Sequence, residues 1–127
     1  MMARILVADD SAGVRSAVRR SLSRGGHEVW DVTDGAQALE LMATMEFDLL
    51  LTDVYMAGVD GMELLLRARQ RGFSAPVIVM SGGGFTPREE LLALASACGA
   101  FATLAKPFSP NDLRTAVSGA LRTPAAD

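Results

Sequence analysis

An α/β architecture, a parallel sheet of five strands with helices on both faces, is what this sequence predicts. Two patterns carry the prediction. Short apolar runs alternate with segments of helical period across the 127 residues, the rhythm of successive βαβ units. Three of the five runs are almost wholly apolar, as strands are when both faces of a sheet are covered. Composition agrees: 50% hydrophobic and 21% charged residues suit a compact domain with a buried core rather than a disordered chain. One domain over residues 1–122, with a short tail at 123–127, accounts for the length.

The strands are expected in order at "RILVA" (4–8), "EVWDV" (28–32), "DLLLT" (48–52), "PVIVM" (76–80) and "FATLA" (101–105). The first, third and fourth are the apolar ones, whereas the second alternates and reads as a sheet edge. Helices fill the intervals. Asp34-Gly-Ala-Gln37, Asp60-Gly-Met-Glu63 and Thr86-Pro-Arg-Glu89 each place a capping side chain three residues before a Gln or Glu. Each is expected to form a box in which both side chains bond free backbone N–H groups. In "TPRE" and "SPND" the proline takes the first helical position, where its missing N–H is no loss. Gly25-Gly26, Gly72 and Gly99 are placed to end the first, third and fourth helices. The result is (βα)5, doubly wound into three layers by right-handed crossovers.

Several function classes drop out. A net charge of −3 gives no electrostatic footprint for nucleic acid. Arg15, Arg19, Arg20 and Arg24 cluster in one segment and read as a solvated helix face. The single cysteine, Cys98, allows no internal disulfide and reads as a buried structural thiol in a reducing compartment. No apolar run has membrane-spanning length, and the chain opens on strand-like sequence rather than a signal peptide. A cytoplasmic location follows as the expectation, and the lone His27 reads as a surface loop residue.

In doubly wound sheets, ligands bind beyond the carboxyl ends of the strands. Just past those ends stand Asp9 and Asp10 (first strand), Asp53 (third), Ser81 (fourth) and Lys106 (fifth). Carboxylates brought together repel by about 4 kcal/mol per pair at ~4 Å with an effective dielectric near 20. A divalent cation and the Lys106 ammonium would offset that repulsion. The donors are hard oxygens and the only histidine is distant in sequence, so Mg2+ is favoured over zinc.

The stretches "LVADDS", "FDLLLTDVYMAGVDGMELL", "VIVMSG" and "GAFATLAKPFS", in that order, resemble the receiver domain of bacterial two-component response regulators over about residues 4–121. The resemblance implies the flavodoxin-like strand order 2-1-3-4-5. It implies a phosphoacceptor signalling domain that assists its own phosphorylation and dephosphorylation, rather than a turnover enzyme. Asp53 would take the phosphoryl group from a histidine kinase or histidine phosphotransfer protein. Asp9 and Asp10 would bind Mg2+ together with Asp53 and the backbone carbonyl of Tyr55. Lys106 would pair with the phosphoryl group, Ser81 would swing its hydroxyl to it, and the Lys106-Pro107 bond would be cis. Drawing in Ser81 and Lys106 would shift a face made by the fourth helix, fifth strand and fifth helix. Arg15, Arg19 and their neighbours would join a kinase-docking face.

The chain departs from the family pattern at several positions. Thr103 stands where most receivers carry a switch aromatic, so a weakened or relocated switch is expected. Phe101 lies two residues earlier, where core packing is the expected role. "SGGGF" (81–85) reads as a hinge rather than a phosphate cradle, because no G-K-S/T follows it. Ala57 replaces a usual proline, so the loop after Asp53 is expected to be looser. Tyr55 and Gly83 occupy the positions that tune acyl-phosphate lifetime in the family.

Only "RTPAAD" remains after residue 121, which reads as a stand-alone receiver, monomeric or weakly dimeric, without direct DNA binding. Its partners would be the phosphodonor and an unidentified downstream protein. Two other readings compete: a degenerate receiver that binds partners without phosphorylation, and a haloacid-dehalogenase-type phosphatase. The second needs an acid two residues after the nucleophile, where this chain has Tyr55.

Overall fold

The computed structural model describes residues 2–82, 93 and 95–122. Its elements are β1 (Arg4–Ala8), α1 (Ala12–Arg24), β2 (Glu28–Val32), α2 (Gly35–Thr44), β3 (Leu49–Asp53), α3 (Gly61–Gln70), β4 (Val77–Ser81), β5 (Ala102–Ala105) and a C-terminal helix (Pro110–Arg122). Helical residues also appear at 93 and 95–97, ahead of β5. All strand pairings are parallel, and the sheet order is β2-β1-β3-β4-β5, as expected.

Alternation along the apolar strands divides the core in two. Leu6, Ala8, Leu50, Val77 and Val79 pack on one face with Ala38 and Leu39 of α2 and Leu64 and Leu65 of α3. Ile5, Val7, Leu49, Leu51, Ile78 and Met80 pack on the other with Val18 and Leu22 of α1 and Leu113, Val117 and Ala120 of the C-terminal helix. Successive side chains of a strand point to opposite faces, so a strand buried on both is apolar at nearly every position. β2 has one neighbour and leaves Trp30 exposed.

Two strands sit one residue later than the sequence pattern suggested, and β5 begins one residue later but ends where expected. β3 and β4 include the polar residues Asp53 and Ser81, because the ladder continues until its last partner is bonded: Asp53 pairs with Met80, and Ser81 with Ala105. Phe101 falls outside β5 and is 41% exposed. Its ring lies over Gly119 of the C-terminal helix, so the expected core role is not what it plays.

Helix ends follow the sequence signals in part. Asp34 and Asp60 accept from the N–H groups of Gln37 and Glu63, but neither box closes back on its cap. Gln37 reaches instead to the N–H and hydroxyl of Thr33, and Glu63 pairs with Arg67 one turn on. The reciprocal box forms at "SPND", where Ser109 and Asp112 bond each other's N–H groups. Gly26, Gly72 and Gly99 adopt positive φ at helix ends, and His27, Phe73 and Ala100 then donate back to Leu22, Ala68 and Ala95. The box starting at Thr86 lies outside the described residues.

Two contacts secure the amino end of the sheet, opposite the strand ends that carry the acids. The Arg69 guanidinium donates to the carbonyls of Phe73 and Ala75, both at 2.7 Å, and of Gly99 at 3.2 Å, and its carbon lies 5.9 Å from the Phe73 ring centroid. It ties the α3–β4 connection to the segment entering β5. His27 is not the free loop residue expected. It is half-buried, and its Nδ1 accepts the Ala3 N–H at 3.0 Å. Burial lowers its pKa.

Removing a charged donor that serves several carbonyls costs about 2 kcal/mol, so Arg69→Met is expected to lose that much in urea unfolding. Arg69→Lys recovers less than half, because one ammonium lacks the planar fork. For His27, a folded-state pKa below the unfolded value means stability is intact above about pH 6.5 and declines as pH falls through the folded pKa. Protonation also removes the Nδ1 acceptor. In parallel pH series, His27→Gln is expected to show a shallower decline below about pH 6.5 than the parent.

Candidate functional site

The polar residues that close β1 and β3 and follow β5 meet at the carboxyl edge of the sheet. Asp9 is fully buried, and each of its polar groups is engaged. Its N–H donates to the Val32 carbonyl at 3.1 Å, its carbonyl accepts from Arg15 Nη1 at 2.8 Å, Oδ1 accepts the Ser11 N–H at 2.8 Å, and Oδ2 accepts from Lys106 Nζ at 2.6 Å. Asp53, 7% exposed, faces it from the end of β3, with Oδ1 3.4 Å from the same ammonium. Asp10 is exposed. One carboxylate oxygen from each of Asp9, Asp10 and Asp53 lies within 4.8 Å of the others.

The charges do not balance. Three carboxylates face one ammonium, and two carboxylates at 4.8 Å repel by about 3 kcal/mol with an effective dielectric near 20. The Asp53 pKa is raised, chiefly by burial, with Asp9 and Asp10 adding to the rise and Lys106 opposing it. The oxygen-only donor set, open toward solvent at Asp10, suits a hard divalent cation such as Mg2+. Such a cation would supply the missing positive charge and hold phosphoryl oxygens.

Backbone geometry fixes where Asp53 points. Thr52, buried, donates its hydroxyl to the Asp53 carbonyl at 3.0 Å, and the Gly61 N–H reaches the Val54 carbonyl at 2.9 Å. A Cβ on Gly61 would lie 1.9 Å from the Asp53 carbonyl oxygen, so only glycine lets α3 start this close to the acid. Gly35 plays the same part at the start of α2, where a Cβ would meet the Val59 carbonyl at 2.5 Å. The loop after Asp53 is anchored by buried Val54 and Met56 and by Val59 packed against the core, with Ala57 on its exposed side. Tyr55 is 40% exposed.

Of the residues singled out from sequence, Asp9, Asp10, Asp53 and Lys106 are brought together. Ser81 ends β4 beside them, half-buried, and its carbonyl accepts the Lys106 N–H at 2.7 Å. The Lys106-Pro107 peptide is cis, as the resemblance implied. Thr103 is half-buried in β5, opposite Val79. Gly83, and with it most of "SGGGF", lies outside the described residues.

Sequence reading passed over four residues. Ser11 caps α1 through the Val14 N–H at 3.3 Å; without Glu or Gln three residues on, no box marked it. Gly61 and Gly35 were visible only as neighbours of caps. Gly82 lets the lysine stem pass, since a Cβ there would lie 3.2 Å from Lys106 Cδ. Arg15 is not on a solvated face: its side chain is 17% exposed and bonded to Asp31 as well as to Asp9.

Comparison with known proteins agrees with this geometry. The family model described as the response regulator receiver domain matches residues 5–118. The chain is 37% identical over 122 residues to the response regulator MprA of Mycobacterium ulcerans, covering 96% of this chain and 51% of that protein. It thus spans about half the length of the curated relatives it matches. Among solved structures, the chemotaxis response regulator CheY4 of Vibrio cholerae aligns with a TM-score of 0.86 at 30% identity, over 95% of this chain and 100% of that one. NtrX from Brucella abortus aligns with a TM-score of 0.88 at 31% identity, over 96% of this chain and 28% of that one. These matches run along nearly the whole chain and settle what the convergence of carboxylates on one sheet edge suggested: the chain belongs to the response regulator receiver domain family, the phosphoacceptor modules of two-component signalling.

Proposed function

We propose that Asp53 is the phosphoacceptor, that Asp9 and Asp10 bind Mg2+ together with Asp53 and the Tyr55 carbonyl, and that the phosphoryl group comes from a histidine kinase or histidine phosphotransfer protein. The observation that carries this reading is Lys106 Nζ, set 2.6 Å from Asp9 and 3.4 Å from Asp53. In transfer, an Asp53 carboxylate oxygen attacks phosphorus in line as the phosphorus–nitrogen bond of the donor breaks and the electron pair leaves with the imidazole. Bound Mg2+ would neutralise phosphoryl oxygens during that exchange.

Lys106 is the mobile cation of the reaction. At rest it spans Asp9 and Asp53; with Asp53 phosphorylated, a phosphoryl oxygen becomes the stronger acceptor. The Ser81 hydroxyl, one strand away, would supply a second donor. Acyl phosphate adds roughly −1 to −2 charge by analogy with other phosphorylated side chains, which biases the end of β4 and β5 toward a second state. Thr103 gives that shift no aromatic ring to turn, so readout rests on the segment after Ser81.

Intact-mass measurement with Mg2+ and a small acyl-phosphate donor is expected to show one added phosphoryl group on the parent and none on Asp53→Asn. An adduct on both would move the acceptor elsewhere. A second expectation follows from the raised Asp53 pKa. An acid whose pKa rises on folding contributes stability below its unfolded pKa and loses it as pH rises through the folded value. At neutral pH without divalent cation, Asp53→Asn is therefore expected to melt higher than the parent, with the gap closing as pH falls toward about 4. Saturating Mg2+, at about 100 times its Kd, adds about 2.7 kcal/mol to the parent and less to the variant.

A further inference from the structure

We propose that Arg15 is a positioning residue of the cation site, which sets the Asp9–Asp10 peptide through the Asp9 carbonyl. The inference rests on the reading that Asp9 and Asp10 hold Mg2+. Arg15 Nη1 donates to the Asp9 carbonyl at 2.8 Å while its Nε donates to Asp31 Oδ2 at 3.2 Å. The planar fork spans both, so the β2 carboxylate fixes the direction from which the carbonyl is gripped. Asp9 is fully buried, and its carbonyl would lose this partner without Arg15.

That carbonyl belongs to the peptide joining Asp9 to Asp10. The carboxylate of Asp9 is already held by Ser11 and Lys106, but Asp10 is exposed and takes its direction from the peptide plane before it. Arg15 therefore acts on the exposed half of the acid pair. Outer partners that orient a metal ligand commonly matter about 10-fold or more in affinity. Arg19 offers the internal control: it pairs with Asp31 as well, is 54% exposed, and makes no bond to Asp9 among the described contacts.

Charge alone predicts the opposite sign. Removing a guanidinium beside a Mg2+ site lessens repulsion of the ion and should tighten binding, whereas loss of positioning loosens it. The experiment is calorimetric titration of Mg2+ into the parent, Arg15→Gln, Arg15→Lys, Asp31→Asn, Arg19→Gln and the Arg15→Gln/Asp31→Asn double variant. Circular dichroism confirms that each is folded. The expected result is a Kd about 10-fold weaker for Arg15→Gln, not restored by Arg15→Lys, and weaker by a smaller factor for Asp31→Asn. The double variant should be no worse than Arg15→Gln, because both changes break one linkage. Arg19→Gln should stay within about twofold, the scatter of a surface change.

Unchanged or tighter binding by Arg15→Gln overturns the proposal, as does an equal loss in Arg19→Gln. A folded parent that binds no Mg2+ sinks the cation-site reading along with it. A parent that binds normally while folded Arg15→Gln and Asp31→Asn match it sinks this inference alone.

Discussion

The Lys106 ammonium is shared between Asp9 and Asp53, and the arrangement of the molecule follows from keeping that sharing possible. Two carboxylates with almost no exposure are held on different strands, and the lysine arrives from beyond a third. None of the three can be misplaced by an ångström without leaving a buried charge unpaired. Rigid delivery comes from strands β1, β3 and β4, whose side chains are locked in apolar cores on both faces. The middle of the sheet is mostly apolar, and the charge stands at its carboxyl edge.

The same edge demands close approach from the helices. Gly61 lets α3 start against the Asp53 carbonyl, Gly35 lets α2 meet the loop after Asp53, and Gly82 lets the lysine stem cross the end of β4. Each glycine removes a side chain where backbone or a functional group must pass. Stability is supplied at the other end, where Arg69 and His27 bond backbone groups with no part in the charged site. The molecule is divided into a secured amino edge and a carboxyl edge held under electrostatic repulsion.

Fold and site were legible in the sequence to different depths. Nearly apolar runs at "RILVA" and "DLLLT" announce doubly covered strands, and Asp9, Asp53 and Lys106 just past the expected strand ends announce a site, because residue type and period suffice for both. Arg15 was not legible. Helical period places it on α1 but does not say that the helix tilts that side chain over the end of β1, and a cluster of arginines looks solvated until Asp31 is known to stand opposite. Phe101 failed for a related reason: period-two reasoning assumes the strand has begun, whereas pairing starts at Ala102. The unclosed boxes at Asp34 and Asp60 show that local spacing offers a bond without winning it, since Arg67 competes for Glu63 and Thr33 for Gln37.

Sharing one ammonium also sets what switching requires on the proposed reading. When Lys106 moves toward a phosphoryl oxygen, Asp9 loses its 2.6 Å partner in a place water does not reach freely. A buried carboxylate left alone would be strongly destabilising, so the move is permitted only if positive charge has already been delivered to Asp9 by the cation it helps bind. Cation binding and lysine release are thus two halves of one exchange. The Ser11 and Arg15 bonds to Asp9 keep the residue in place while its charge partner changes, and the Lys106 N–H stays on the Ser81 carbonyl. The ammonium is therefore free to swing while its backbone remains in the sheet edge, which is how a small displacement at one atom can be passed to the ends of β4 and β5 without unpairing them.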